Sequence, residues 1–389
     1  MKITIVGAGF SGLTLAHYLR NEGFGVEVLE ANSHAGGLIK TVRTKHGLIE
    51  TAATSILLTP TLEKILKDIN LPPLMPNKES KKRYISKNLK PSRLPLSLKA
   101  CIQLFIGVLR ISFAKKKWQP KGLETLSEWA DRTFGKEVRK ALVSPAMQGI
   151  YAASSEELSA SLVLKKIFSK EKRERSKGPI NFKNGMGEFI HSLESSLKAR
   201  GVSFKYNEKL TKEKLPKGPV VLATSMKAAQ SLIDGIPDIP KKNMTSLTAF
   251  FDTPPPIRGF GILFPVEEGL NAHGVLLNDC MFKGRAKEGH SETWILSELS
   301  HLSKDELLEL VKEDRRKVFA SSEEPTFYQV SSWNEAFPIY GTKLEKYLKN
   351  NNQRLDNIFL TGNYLGNLGL SGILDQNQKL SKRLKEELL

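Results

Sequence analysis

The chain has 389 residues, 40% of them hydrophobic, which is enough apolar material for two or three layered units with cores of their own. It carries 59 Lys and Arg against 41 Asp and Glu, a net charge of +18, with two cysteines and seven scattered histidines. Cys101 and Cys280 build no disulfide framework, the histidines lack metal-ligand spacing, and an opening on an apolar strand leaves no room for a secretion signal, so a cytoplasmic protein without a metal site is expected.

The first thirty residues organise the rest. Ile3–Val6 is a short β-branched strand, Gly7-Ala8-Gly9-Phe10-Ser11-Gly12 follows at once, and Leu13, Ala16 and Leu19 then recur at helical spacing. A second strand, Val26–Leu29, ends on Glu30. Strand, glycine turn, helix and acid in that order form a unit that binds a dinucleotide. Gly7 allows the tight turn, Gly9 lets the backbone approach a pyrophosphate, and Gly12 lets helix and strand pack closely. The pyrophosphate would sit on the helix N-terminus, and Glu30 would accept hydrogen bonds from ribose hydroxyls. Just beyond, Ala31 opens a loop that reaches Gly36-Gly37-Leu38.

Gly47–Leu58 reads as strand and turn, and Thr61–Ile69 as a helix that stops before Leu71-Pro72-Pro73. A new unit opens at Lys81, where Lys81–Ile85 begins a strand. Between Ser80 and Lys121 there are 12 Lys or Arg and no acid. Inside that basic run, Leu98, Ile102, Phe105, Leu109 and Phe113 recur at helical spacing in a stretch too short to span a bilayer of about 30 Å. Two readings stay open there: a helix lying on an anionic membrane surface, and a buried helix with a solvated basic flank. Nucleic acid is the poorer partner, because no recognition motif and no stacking aromatics accompany the charge.

Helices are expected at Leu94–Ala114, Leu126–Phe134, Lys136–Ser144 and Glu156–Phe168, then a charged linker at 170–177. The pattern next returns to nucleotide-domain alternation: helix Glu188–Arg200, strands Val202–Tyr206 and Val220–Ala223. Residues 245–299 alternate like sheet, Ser303–Phe319 is a charged amphipathic helix, and Asn357–Thr361 is a last strand before a lysine-rich helix.

The fold class is therefore α/β, a discontinuous Rossmann-type domain with a mixed α+β substrate domain and a helical membrane-associating insertion. The divisions expected are 1–80, 178–240 and 331–389 for the nucleotide part, 81–177 for the basic helical insertion, and 241–330 for a β-rich substrate part.

Several segments resemble known families. Glu30-Ala31 with Gly36-Gly37-Leu38 is similar to the second glycine loop of the FAD-dependent amine oxidase superfamily, although His34 and Leu38 stand where arginines are common. Phe134–Val138, Gly149–Ala152, Glu157–Ser159, Gly259–Pro265, Phe282–Ala286, the set Trp333, Ala336, Pro338 and Tyr340, and Leu360–Gly366 resemble, in order, strings of the oxygen-dependent protoporphyrinogen oxidase family. Glu50-Thr51-Ala52-Ala53 and Ser371-Gly372-Ile373-Leu374 depart from it.

The resemblance implies FAD, held by Gly7, Gly9, Phe10, Ser11, Gly12, Glu30, Ala31, Gly36, Gly37 and Leu38. It also implies that Trp333 lies near the flavin and that Gly362-Asn363 and Gly369-Leu370 close over it. Arg83 would pair with a substrate propionate. The implied reaction is oxidation of protoporphyrinogen IX, or of coproporphyrinogen III, by hydride transfer to flavin with dioxygen as acceptor. The cofactor carries the chemistry, so no catalytic side chain is expected. A monomer or homodimer on the inner face of the cell membrane is the implied setting. Another flavoenzyme of apolar substrates, or a membrane-surface protein without chemistry, would share most of these features.

Overall fold

The computed structural model describes residues 1–169, 174–297, 299, 301–350, 354–355 and 357–389. Its first sheet grows from Lys2–Val6, whose last four residues are buried. The strand order is Arg354–Leu355, Ile358–Leu360, Val220–Leu222, Lys2–Val6, Gly25–Leu29 and Ser203–Lys205. All pairs are parallel except the first. Parallel strands are covered on both faces, which is why they read as unbroken apolar runs.

On one face pack helices Phe10–Asn21, Pro60–Asp68, Met186–Ala199 and Leu370–Leu388, joined through Leu13, Leu62, Phe189 and Leu374. On the other pack Leu126–Phe134, Met226–Leu232 and Thr342–Asn350, through Trp129, Met226 and Leu344. The crevice at the carboxyl end of the central strands is where such a sheet binds its ligand.

The second sheet has seven strands in the order Phe327–Pro338, Lys241–Phe251, His290–Ser297, Gly274–Leu277, Gly261–Leu263, Tyr84–Lys87 and Lys90–Ser92. Helix Lys304–Phe319 covers it, burying Leu307, Val311 and Phe319 against Trp294 and Leu296. That helix starts where Ser303 and Glu306 form a capping box.

Four expectations need correction. The strand Phe327–Pro338 pairs with Lys241–Phe251, so the division at 330/331 cuts through a strand of the second sheet. The strand expected from Lys81 forms as Tyr84–Lys87 and, with Lys90–Ser92, joins the same sheet, so 81–177 is not one separate insertion. Within the expected Lys136–Ser144 helix, Lys136–Val138 is α-helical, Arg139–Val143 continues it as a wider π turn, and Ser144 opens a further α-helix, Ser144–Tyr151. The expected Glu156–Phe168 helix begins at Ala160, because the Ser159 hydroxyl caps it by accepting the Leu162 N–H, and it breaks again at Leu164. Part of the charged linker, residues 170–173, lies outside the described residues.

Helix Leu98–Phe113 buries only Ala100 and Gly107. A Cβ on Gly107 would lie 2.1 Å from the Phe134 ring, so glycine is what lets the two helices touch. The apolar stripe faces outward, with Leu98 80%, Phe105 63% and Phe113 87% exposed. The buried-helix reading is therefore wrong. Among the described residues, no helix is long and apolar enough to cross a membrane.

Candidate functional site

The glycine turn is built as tightly as its spacing demands. Gly7 has φ +106°, and a Cβ there would lie 2.8 Å from the Ala223 carbonyl oxygen. One on Gly12 would lie 1.9 Å from the Gly7 oxygen. Gly9 caps helix Phe10–Asn21 without a side chain, so the first-turn N–H groups of Phe10, Ser11 and Gly12 stay open to an anion. The Phe10 ring itself turns into the core, 5.8 Å from Phe189, so only its backbone belongs to the site.

The second glycine loop folds onto the first. Gly36 donates its N–H to the Ala8 carbonyl at 2.9 Å and pairs with Gly9 as an isolated bridge. A Cβ on Gly37 would stand 3.3 Å from the Gly9 Cα. Glu30 is buried, and its carboxylate accepts the Ala8 N–H at 2.7 Å and the Asn32 N–H and side-chain amide at 2.9 and 2.8 Å. Those bonds hold it at the end of its strand and leave acceptor sites for a sugar. Ala31 is exposed on this rim, and Leu38 lies half-buried beside it, its carbonyl accepting the Thr51 hydroxyl at 3.0 Å.

The last strand closes the cradle. Gly362 has φ +143°, a backbone only glycine takes freely, and Asn363 donates to the Ala336 carbonyl at 3.2 Å. Gly369, open on all sides, caps helix Leu370–Leu388, and Leu370 packs on the core. Behind these residues runs a buried network that the sequence pattern had not singled out. Asn377, fully buried, donates to the Ser11 carbonyl and the Thr14 hydroxyl at 2.8 Å each and accepts from Thr361. The Ser11 hydroxyl meets Thr361 at 3.1 Å. Three chain segments are thus tied where the anion site opens.

An uncapped helix N-terminus, two glycine loops without room for side chains and an anchored acid fit a flavin dinucleotide. Comparison with known proteins agrees. Residues 10–228 and 220–372 match the family of flavin containing amine oxidoreductases. The chain belongs to this family. Its cofactor is FAD. Protoporphyrinogen oxidase 2 of Arabidopsis thaliana is 26% identical over 461 residues, covering 95% of this chain and 91% of that one. Coproporphyrinogen III oxidase of Bacillus subtilis is 22% identical, covering 97% and 96%. The solved structure of putrescine oxidase shares the fold, with a TM-score of 0.73 at 16% identity over 99% of both chains.

In this flavin amine oxidoreductase, Trp333 stands half-buried on Phe327–Pro338 and donates its indole N–H to the Thr51 carbonyl at 2.8 Å. Arg83 is exposed, with its guanidinium carbon 4.7 Å from the centre of the Phe260 ring. The two are not neighbours. Trp333 lies on the edge strand, and Arg83 immediately precedes Tyr84–Lys87, five strands away in the second sheet. The structure therefore gathers the glycines, Glu30, Gly362 and Asn363, while Arg83 stands apart at the far side.

Two further buried groups lie next to the site. Glu50 accepts from Thr41, Asn181 and the Met186 N–H, and Arg285 stands beside it. An acid in the apolar string Gly47–Leu58 was the available signal for Glu50; for Asn377 it was an amide on the apolar face of the terminal helix.

Proposed function

We propose that this flavoprotein oxidises a porphyrinogen, protoporphyrinogen IX ahead of coproporphyrinogen III, and passes the electrons to dioxygen. Likeness to oxidases of both substrates along nearly the whole chain supports this reading. The carrying observation is the flavin cradle of Gly7, Gly9, Gly12 and the buried Glu30 in a chain that aligns with such oxidases over nearly its whole length. Arg83 adds an exposed cation seated on the Phe260 ring, with no carboxylate partner among the described residues. Such a cation is poised for the carboxylate of an otherwise apolar ring. Bound FAD supplies the hydride acceptor, with two electrons and two protons leaving the substrate per round as dioxygen becomes hydrogen peroxide. The protein need supply no strong base, because a pyrrole nitrogen releases its own proton. Trp333, held by the Thr51 carbonyl, would border the flavin and help exclude water.

The site would work at the cytoplasmic face of an anionic membrane. Exposed Leu98, Ile102, Phe105 and Phe113, set in the acid-free basic run, support that location.

Turnover of the two porphyrinogens by the FAD-loaded protein, followed by porphyrin fluorescence, tests the reading. Arg83→Ala should raise KM about tenfold or more and change kcat little, as expected for loss of a charge-assisted hydrogen bond. An unchanged KM would move the carboxylate contact elsewhere.

A further inference from the structure

Behind the contact between Thr51 and Trp333 lies a charge pair that the chemistry above does not use. Glu50 ends the strand Leu48–Glu50 beside the nucleotide loops, and Arg285 follows the short helix Asn278–Met281 of the second sheet. Glu50 is 8% and Arg285 3% exposed, with Nη1 3.7 Å from Oε1. Arg285 Nη2 donates to the carbonyls of Phe182 and Lys183 at 3.0 and 3.2 Å. Its Nε and Nη1 meet no acceptor at hydrogen-bond distance among the described residues, and the side chain lines a cavity of about 10 Å3 with Asn181, Asn278 and Thr293. That is about the room of one water, so solvent can complete the guanidinium's bonds without moving the pair.

Glu50 does more than face Arg285. Its carboxylate accepts the Thr41 hydroxyl at 2.7 Å, the Asn181 amide at 3.1 Å and, at 2.9 Å, the N–H of Met186. Met186 is the first residue of helix Met186–Ala199, whose N-cap, Gly185, has no side chain to offer. Burial pushes the Glu50 carboxyl up, against the hydrogen bonds from Thr41, Met186 and Asn181 and the charge of Arg285, and pushes the Arg285 guanidinium down, against Glu50, Asp279 and Glu188. The backbone is stitched at the same spot. Leu48 donates to the Arg285 carbonyl at 2.8 Å, and a Cβ on Gly47 would lie 2.1 Å from that oxygen. The residue after Glu50 is Thr51, which holds Trp333.

We propose that Glu50 and Arg285 are positioning residues: a buried ion pair between the two-stranded sheet of Thr41–Arg43 with Leu48–Glu50 and the loop after helix Asn278–Met281, which fixes the Glu50–Thr51 turn, and through it Trp333, for the flavin. The inference rests on flavin binding and stands whether or not a porphyrinogen is the substrate.

The test uses the full chain as Glu50→Gln, Arg285→Met, the double variant and Arg285→Lys. FAD affinity is measured by titration of the flavin-free protein, and the environment of the bound flavin by its visible circular dichroism. Each neutral single variant should bind FAD about tenfold more weakly, with an altered dichroism spectrum, because one charge is left buried alone. The double variant should return to within about threefold of the wild type. Losses that multiply in the double variant would overturn the pair. So would single variants that bind FAD with wild-type affinity and spectrum and only melt earlier. If the neutral single variants fail to fold, Arg285→Lys and the double variant decide: neither leaves a charge buried alone, so both should bind FAD within about threefold of the wild type, and a loss of about tenfold in either would overturn the proposal.

Discussion

Gly12 shows how closely single residues set the cofactor end, since even one methyl carbon there would collide with the Gly7 carbonyl. Such glycines are legible in a sequence because spacing alone reports a backbone requirement. Asn377 is not legible in that way. It shares a face with Ile373, Leu374, Leu380 and Leu384, and its partners Ser11, Thr14 and Thr361 come from more than 360 residues away in the first helix and from the strand before.

His17, on the same helix as Gly12, gives a prediction at this scale. It is 1% exposed, with Arg200 Nη1 3.3 Å from Nδ1 and Asp68 3.2 Å from Nε2. A neutral ring with its proton on Nε2 accepts from Arg200 at Nδ1 and donates to Asp68, with the Asn21 side-chain amide also 3.2 Å from Nε2. Burial, then Arg200, pushes its pKa below the usual imidazole value against the pull of Asp68. The unfolded chain therefore takes up the proton more readily than the native one. This contribution is complete above about pH 6.5 and is lost as pH falls below it. Melting temperatures measured from about pH 7.5 to about 5.5 should fall in the wild type, and less steeply in His17→Gln. Equal slopes would remove His17 from the account.

Among the elements, local signals succeed where the partner is nearby. Thr125 with Glu128, and Ser303 with Glu306, mark helix starts that the structure keeps, because a capping box closes within four residues. Strand Phe327–Pro338 escaped notice. Its residues are mostly half-buried, and Glu335 takes φ +50° opposite the register shift between Lys242 and Met244, which interrupts the period of two. Helix Leu98–Phe113 was visible as amphipathic, but its periodicity says only that one face is apolar, not whether protein or lipid covers it.

The exposure of that stripe turns the question into a measurement. The FAD-loaded protein should cosediment with vesicles rich in anionic lipid, less so at high salt. The triple substitution Leu98→Ser, Phe105→Ser and Phe113→Ser should lower partition at least about tenfold while leaving flavin binding intact. Unchanged partition would take this helix out of any membrane contact.

At the scale of the whole molecule, the first sheet is assembled from residues 2–29, 203–222 and 354–360, and the second from 84–92 and 241–338. Recurring strand and helix patterns reveal the return of the chain to its first sheet. Strand order is harder to see, because it depends on pairings such as Lys2–Val6 with Val220–Leu222 that no local window contains. The cofactor crevice was therefore legible from one end of the chain. The substrate side, with Arg83 and Trp333 near opposite edges of the second sheet, needed three dimensions.

The most direct test of the central claim is anaerobic mixing of the FAD-loaded protein with protoporphyrinogen IX while the flavin absorption is followed. The oxidised flavin should bleach and, on admission of oxygen, return with formation of hydrogen peroxide and porphyrin fluorescence. A flavin that stays oxidised with both protoporphyrinogen IX and coproporphyrinogen III would contradict it.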